Sequence, residues 1–134
     1  MSARLAPSAT ADSQFFWDAL KEHRLLIQRC AACGLLRHPP RPMCPACHSL
    51  EWDTVDASGR GTVYSCVIPR HPEWPWFPEP YVVAIVELEE GTRLVTNVVG
   101  VDATAVTIGM PVVVRYEEFD DGLVLPLFEP VEAK

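Results

Sequence analysis

Long hydrophobic runs are missing from this chain. No apolar stretch approaches the roughly 18 residues that a membrane-crossing helix requires, so no such helix is expected. The opening MSARLAPSATADSQ has no apolar core of the kind that defines a secretory signal. We therefore expect a soluble, cytoplasmic protein with no membrane partner. A glycine-rich phosphate loop is absent, which removes the nucleotide-binding motifs built on one. No internal repeat is found, which argues against a solenoid. Basic residues are scarce: 11 Lys+Arg stand against 18 Asp+Glu, for a formal charge of −7. The imbalance is uneven. Residues 1–60 carry 7 Lys+Arg and 6 Asp+Glu, whereas residues 61–134 carry 4 and 12. A nucleic-acid binder draws its affinity mainly from neutralising phosphates. The second half repels a polyanion, so we expect no nucleic-acid partner, and any anionic partner is small and meets the first half.

What is present is cysteine and proline. Four of the five cysteines fall in CAACGLLRHPPRPMCPACH, residues 30–48. A reducing cytosol disfavours a disulfide framework. Two Cys-x-x-Cys knuckles, Cys30/Cys33 and Cys44/Cys47, direct four thiolates to the corners of a tetrahedron, the geometry zinc accepts. An iron site or a metal-free ribbon are the alternatives. Gly34 follows the first knuckle, where a positive φ is expected. His48 follows the second and reads as a turn residue, not a ligand, because histidine tolerates that region better than most. Four thiolates and Zn²⁺ sum to −2. Arg29, Arg37 and Arg41 either offset that charge or bind an anionic ligand such as a phosphate. A closed four-cysteine shell leaves no open catalytic position, so the zinc is structural.

Residues 1–11 are small and polar and are expected to form a flexible terminus. DSQFFWDALKEHRLL (12–26) places Phe16, Ala19, Leu20 and His23 on one helical face, with Asp12 or Ser13 as N-cap. Phe15 and Trp17 lie off that stripe, so they either pack in the core or reach a partner. SGRG (58–61) reads as a turn. Beyond it come five Val/Ile/aromatic-rich runs, at 62–68, 81–88, 93–99, 111–119 and 123–129, which read as strands. EEG (89–91) and DDG (120–122) supply turns, and Pro126 places the last strand on an edge. Five short strands over this length predict a small barrel of the partly open OB type.

Other chemistry is thin. Cys66 reads as a small buried hydrophobe, and a nucleophilic pair with His71 has no third group to orient it. Glu117, Glu118, Asp120 and Asp121 read as a solvated run. PRHPEWPWFPEPY (69–81) is stiffened by prolines and carries aromatic anchors. It forms either an interface lip or a cover over the barrel end.

The ordered series FWDAL, CAACGLLRHPPRPMCPAC, SGRGTVYS, EPYVVAIVEL and IGMPVVV resembles the DUF35 family over almost the whole chain, from Asp12 to Glu129. The resemblance implies a mainly β protein with an N-terminal helix, a rubredoxin-like zinc ribbon and a C-terminal five-stranded OB-fold barrel. The expected divisions are 1–11, 12–57 and 58–134. By the same resemblance, Cys30, Cys33, Cys44 and Cys47 are the metal ligands. It also implies a non-catalytic partner of a thiolase-like enzyme, an aldolase, lyase or acyltransferase, working on acyl-CoA thioesters. Sterol side-chain breakdown is one such setting. The family role is to stabilise that enzyme and help form its CoA channel, with Arg29, Arg37 and Arg41 as candidates for the CoA phosphates. The alternative expectation is a stand-alone acyl-CoA-binding protein. Two features depart from the family pattern: His48 replaces a glycine, and the 69–81 segment is bulky.

Overall fold

The computed structural model describes residues 7–70 and 80–131, with the Asp121 side chain excepted. Among the described residues one α-helix, eight strands and two short 3-10 turns, Ala103–Ala105 and Asp120–Gly122, follow in order. The helix α1 spans Gln14–Lys21 and buries Phe16, Ala19 and Leu20, which is the apolar stripe the sequence spacing predicts. Its stripe stops one turn early. His23 lies beyond the helix end with φ 58°, is exposed, and stacks on the Tyr116 ring at 5.1 Å between centroids. Ser13 occupies the N-cap position without a side-chain capping bond. Its hydroxyl instead accepts from the Thr10 backbone N–H at 3.0 Å, closing the turn that leads into the helix.

The first sheet is formed by β1 (Leu26–Cys30), β2 (Leu36–Arg37) and β3 (Trp52–Asp56), in the order β2-β1-β3. All its pairings are antiparallel. The second is a closed barrel of β4 (Arg60–Val67), β5 (Val82–Leu88), β6 (Arg93–Val98), β7 (Pro111–Glu118) and β8 (Val124–Pro130). Its order is β4-β5-β6-β8-β7. The burial of β5 alternates strictly along its seven residues, as a strand with one face in a core must. SGRG is a turn only in its first half: Gly59 has φ 85°, and Arg60 and Gly61 already belong to β4. Gly61 is required there, since a Cβ would lie 2.5 Å from the Glu87 carbonyl oxygen.

The closed barrel corrects the expectation that Pro126 marks an edge. β8 pairs with β7 along its length and meets β6 at the parallel pair Val98↔Phe128. Residues two apart in a strand point their backbone groups the same way. The Val99 N–H donates to the Phe128 carbonyl at 2.8 Å, so Pro126 also faces β6. There the ladder is short, and the Thr96 hydroxyl reaches across to the Pro126 carbonyl at 2.7 Å. The proline removes a donor from a seam that does not use it.

Phe16 and Leu20 from α1 and Leu25 and Ile27 from the β1 side share one buried cluster with barrel residues such as Val86, Val112 and Phe128. Phe15 and Trp17 pack partly buried against the same cluster, and Phe15 meets Trp52 at 4.8 Å. Ribbon, helix and barrel are thus joined by a continuous apolar interior. Cys66 is half-buried against it. Among the described residues no helix is long and apolar enough to cross a membrane. His71 and most of the proline–aromatic stretch 69–81 lie outside the described residues.

Candidate metal centre

The four-cysteine stretch folds into two knuckles with the same hydrogen-bond pattern. In the first, the Gly34 N–H donates to the Cys30 carbonyl at 2.9 Å and the Cys30 N–H to the Leu35 carbonyl at 2.9 Å. In the second, the His48 N–H donates to the Cys44 carbonyl at 2.9 Å and the Cys44 N–H to the Ser49 carbonyl at 3.0 Å. Gly34 at φ 80° and His48 at φ 67° occupy matching positions. His48 is therefore the turn residue its position implies, and it is absent from the ligand cluster.

The Sγ atoms of Cys30, Cys33, Cys44 and Cys47 all lie within 4.8 Å of one another. Cys30 approaches Cys47 at 3.5 Å, and Cys33 approaches Cys44 at 3.6 Å. A tetrahedral ion with Zn–S near 2.3 Å places its sulfurs about 3.8 Å apart, so the quartet fits zinc. The Cys33 N–H donates to the Cys30 sulfur at 3.4 Å. This backbone donor is the largest cause that pulls the Cys30 thiol down to about 6. The Cys47 N–H does the same for Cys44, which is also lowered. At Cys30 and Cys44 oriented backbone amides thus favour thiolate, the form a metal binds; at Cys33 and Cys47 the Leu35 and Ser49 amides pull the same way, but the neighbouring thiols outweigh them and both rise, Cys47 to about 12. When bound, zinc supplies folding energy to a ribbon whose own sheet is small.

The three arginines have different fates. Arg29 forms a two-point ion pair with Asp53, Nε and Nη2 each donating at 2.8 Å, and the two residues face each other across β1 and β3. Each raises or lowers its partner's pKa to favour the charged pair: Arg29 moves up and Asp53 down, chiefly through this hydrogen bond. Arg24 and Asp56 repeat the arrangement at 3.0 and 3.1 Å. Arg37 is only 6% exposed. Its Nε and Nη2 donate to the Arg41 carbonyl at 3.2 and 2.9 Å, while Gln28 Oε1 accepts from the Arg41 N–H at 2.8 Å. The buried Gln28–Arg37 pair, opposite each other across β1 and β2, clamps the peptide of Arg41 and fixes the loop between the knuckles. Arg41 itself is exposed. Sequence reasoning missed Gln28, Asp53 and all three ribbon strands. The available signal was a pair of aspartates, Asp53 and Asp56, in one run and a pair of arginines, Arg24 and Arg29, in another.

Two family models match. The rubredoxin-like zinc ribbon domain of ChsH2 covers residues 17–53, and the ChsH2 C-terminal OB-fold domain covers residues 54–117. A DUF35 domain-containing scaffold protein of Methanocaldococcus jannaschii is 37% identical over 125 residues, spanning 87% of this chain and 89% of that protein. The chain belongs to the DUF35 family. A chain of the Ltp2-ChsH2(DUF35) aldolase structure superposes on this DUF35 chain with a TM-score of 0.89 and 55% identity, covering 93% of this chain and 98% of that one. The 3-oxo-4,17-pregnadiene-20-carboxyl-CoA hydratase alpha subunit of Mycobacterium tuberculosis is 46% identical over 119 residues, 89% of this chain. This DUF35 chain spans about two-fifths of the length of the hydratase alpha subunits it matches.

Proposed function

We propose that this chain is a non-catalytic accessory subunit, or the corresponding domain of a longer protein. Its partner is a thiolase-like acyl-CoA enzyme of the aldolase, lyase or acyltransferase kind. One observation carries the reading: the similarity to the DUF35 chain of the Ltp2-ChsH2(DUF35) aldolase runs along 98% of that chain at 55% identity. The closed four-sulfur quartet supports a scaffolding role, since a structural zinc with four protein ligands offers substrate no coordination position. A steroid-type acyl group fits the name of the mycobacterial relative. In this reading the chain stabilises its partner and helps close the CoA channel. Of the arginines assigned to the CoA phosphates, Arg41 presents an exposed side chain, Arg29 is shared with Asp53, and Arg37 lies beneath.

Co-expression with a thiolase-like enzyme from the same source, followed by size exclusion, tests the reading. A stable hetero-oligomer, with the partner insoluble or short-lived alone, is the expected result. A partner that is soluble and equally active without this chain overturns it. The hydratase alpha-subunit relatives favour a second reading, in which the same domain serves a hydratase; co-purification with a hydratase-type subunit in place of the thiolase-like one selects it. The alternative of a stand-alone acyl-CoA-binding protein is met by calorimetry on the isolated chain, where micromolar binding supports it.

A further inference from the structure

Arg37 is the only charged side chain that is buried among the described residues. It has no carboxylate partner there. Arg24 is taken by Asp56 and Arg29 by Asp53, and the remaining ion pairs of the described residues involve neither Arg37 nor its neighbours on β2. The Arg41 carbonyl accepts two of its N–H bonds but brings no negative charge. Arg37 Nη1 and Gln28 Nε2, both buried donors, have no partner among the described residues. A guanidinium taken out of water without an opposing charge is costly, so an anion near Arg37 is required.

The strand register points to where that anion lies. Arg37 stands opposite Gln28 across β1 and β2, and residues opposite each other in an antiparallel pair share a face. Cys30, two residues beyond Gln28, is on that same face and is equally buried. Arg29, between them, points to the other face, where it meets Asp53. The head of Arg37 is held on the Arg41 carbonyl, and Arg41 precedes Cys44 by three residues. Three residues of chain span at most about 11 Å. The guanidinium is therefore tied to the strand that leads into one knuckle and to the loop that enters the other.

We propose that Arg37 is the buried countercharge of the metal centre. Its guanidinium offsets the −2 of a zinc ion held by four thiolates and so raises the affinity of the quartet for that ion. The effect is strong at this range because the group lies out of solvent, where charges are screened least. Arg41 is exposed to water and Arg29 is neutralised by Asp53, so neither substitutes for it. The inference rests on the zinc assignment and not on the accessory-subunit reading.

Zinc affinity of the purified full chain, measured by competition with a colorimetric chelator, tests it. Arg37→Lys keeps the charge and loses the two-point grip on the Arg41 carbonyl, whereas Arg37→Gln loses both. Gln28→Glu keeps an acceptor for the Arg41 N–H and exchanges the unpartnered Nε2 for a carboxylate oxygen, cancelling the charge with the guanidinium in place. Circular dichroism and urea unfolding check that each variant folds. Arg37→Gln and Gln28→Glu are expected to bind zinc about tenfold more weakly or worse. Arg37→Lys stays much closer to the wild type, and Arg41→Gln matches it. The gap persists at high salt, since a buried charge is screened little; a gap that vanishes there overturns the buried countercharge. Equal losses in Arg37→Lys and Arg37→Gln show a mechanical clamp alone and overturn the proposal. Where Arg37→Gln does not fold, Gln28→Glu decides, and wild-type zinc affinity in that variant overturns the proposal. A wild-type chain that takes up no zinc removes the charge to be balanced, and overturns it too.

Discussion

At the scale of single residues, burial separates structural groups from available ones. Cys44 is fully buried and belongs to the four-sulfur quartet, whereas Cys66 is half-buried and outside it. Cys44→Ser is expected to drop zinc from about one per chain to none, read by elemental analysis, while Cys66→Ser keeps its metal. Arg29 lies one residue before the first knuckle and Arg37 four residues after it, yet they differ in kind. Arg37 donates twice to one carbonyl from a buried position, with Nη1 and the Gln28 Nε2 left unpaired among the described residues. Hydrogen bonds from a charged donor contribute roughly 1.5–3 kcal/mol each. Arg37→Ala should therefore cost about 2 kcal/mol or more in urea unfolding, and Arg29→Ala, whose ion pair is solvent-screened, should shift the midpoint much less. The metal quartet and the left-handed position of His48 could be read from spacing alone. The roles of Gln28 and Asp53 could not, because a buried glutamine and a surface aspartate look like ordinary polar residues until the strands bring them opposite Arg37 and Arg29.

At the scale of elements, the barrel strands were legible and the ribbon strands were not. The run 82–88 buries every second residue, so its period is visible in the sequence. β1 buries Leu26, Ile27, Gln28 and Cys30, and that pattern has no period of two. The polar Gln28 and the charged Arg37 in β2 further hide buried strands from any hydrophobicity argument. Pro126 misled for a related reason. The rule that proline sits on an edge concerns donors, and the seam between β6 and β8 uses none at that point. The loop after β2 offers a pH prediction. Burial holds the His38 imidazole below its ordinary pKa, so folding favours its neutral form. That stability is complete above the unfolded-state pKa, about 6.5, and is lost as pH falls through the lowered native value. The melting temperature should fall between pH 7 and pH 5, and the fall should be smaller in His38→Gln. An equal fall in both proteins assigns the acid sensitivity to another group.

At the scale of the whole molecule, one apolar interior links metal ribbon, helix and barrel. Leu20 is completely buried at that junction, and Leu→Ala in such a setting costs about 2–5 kcal/mol. Leu20→Ala should lower a single melting transition seen identically by near-ultraviolet dichroism and by zinc release. Two separated transitions would show that ribbon and barrel unfold independently. The same continuity couples the ribbon to the barrel wall, so an ion held by the four cysteines would stiffen a ribbon packed directly on the barrel. The central proposal is that this chain holds another polypeptide in a working state and performs no bond chemistry of its own. Acyl-CoA carbon–carbon cleavage, measured for this chain alone, for the thiolase-like partner alone and for the two together, tests it most directly. The account predicts no turnover by this chain, little by the partner, and full activity only in the mixture; turnover by this chain alone, or undiminished turnover by the partner alone, contradicts it.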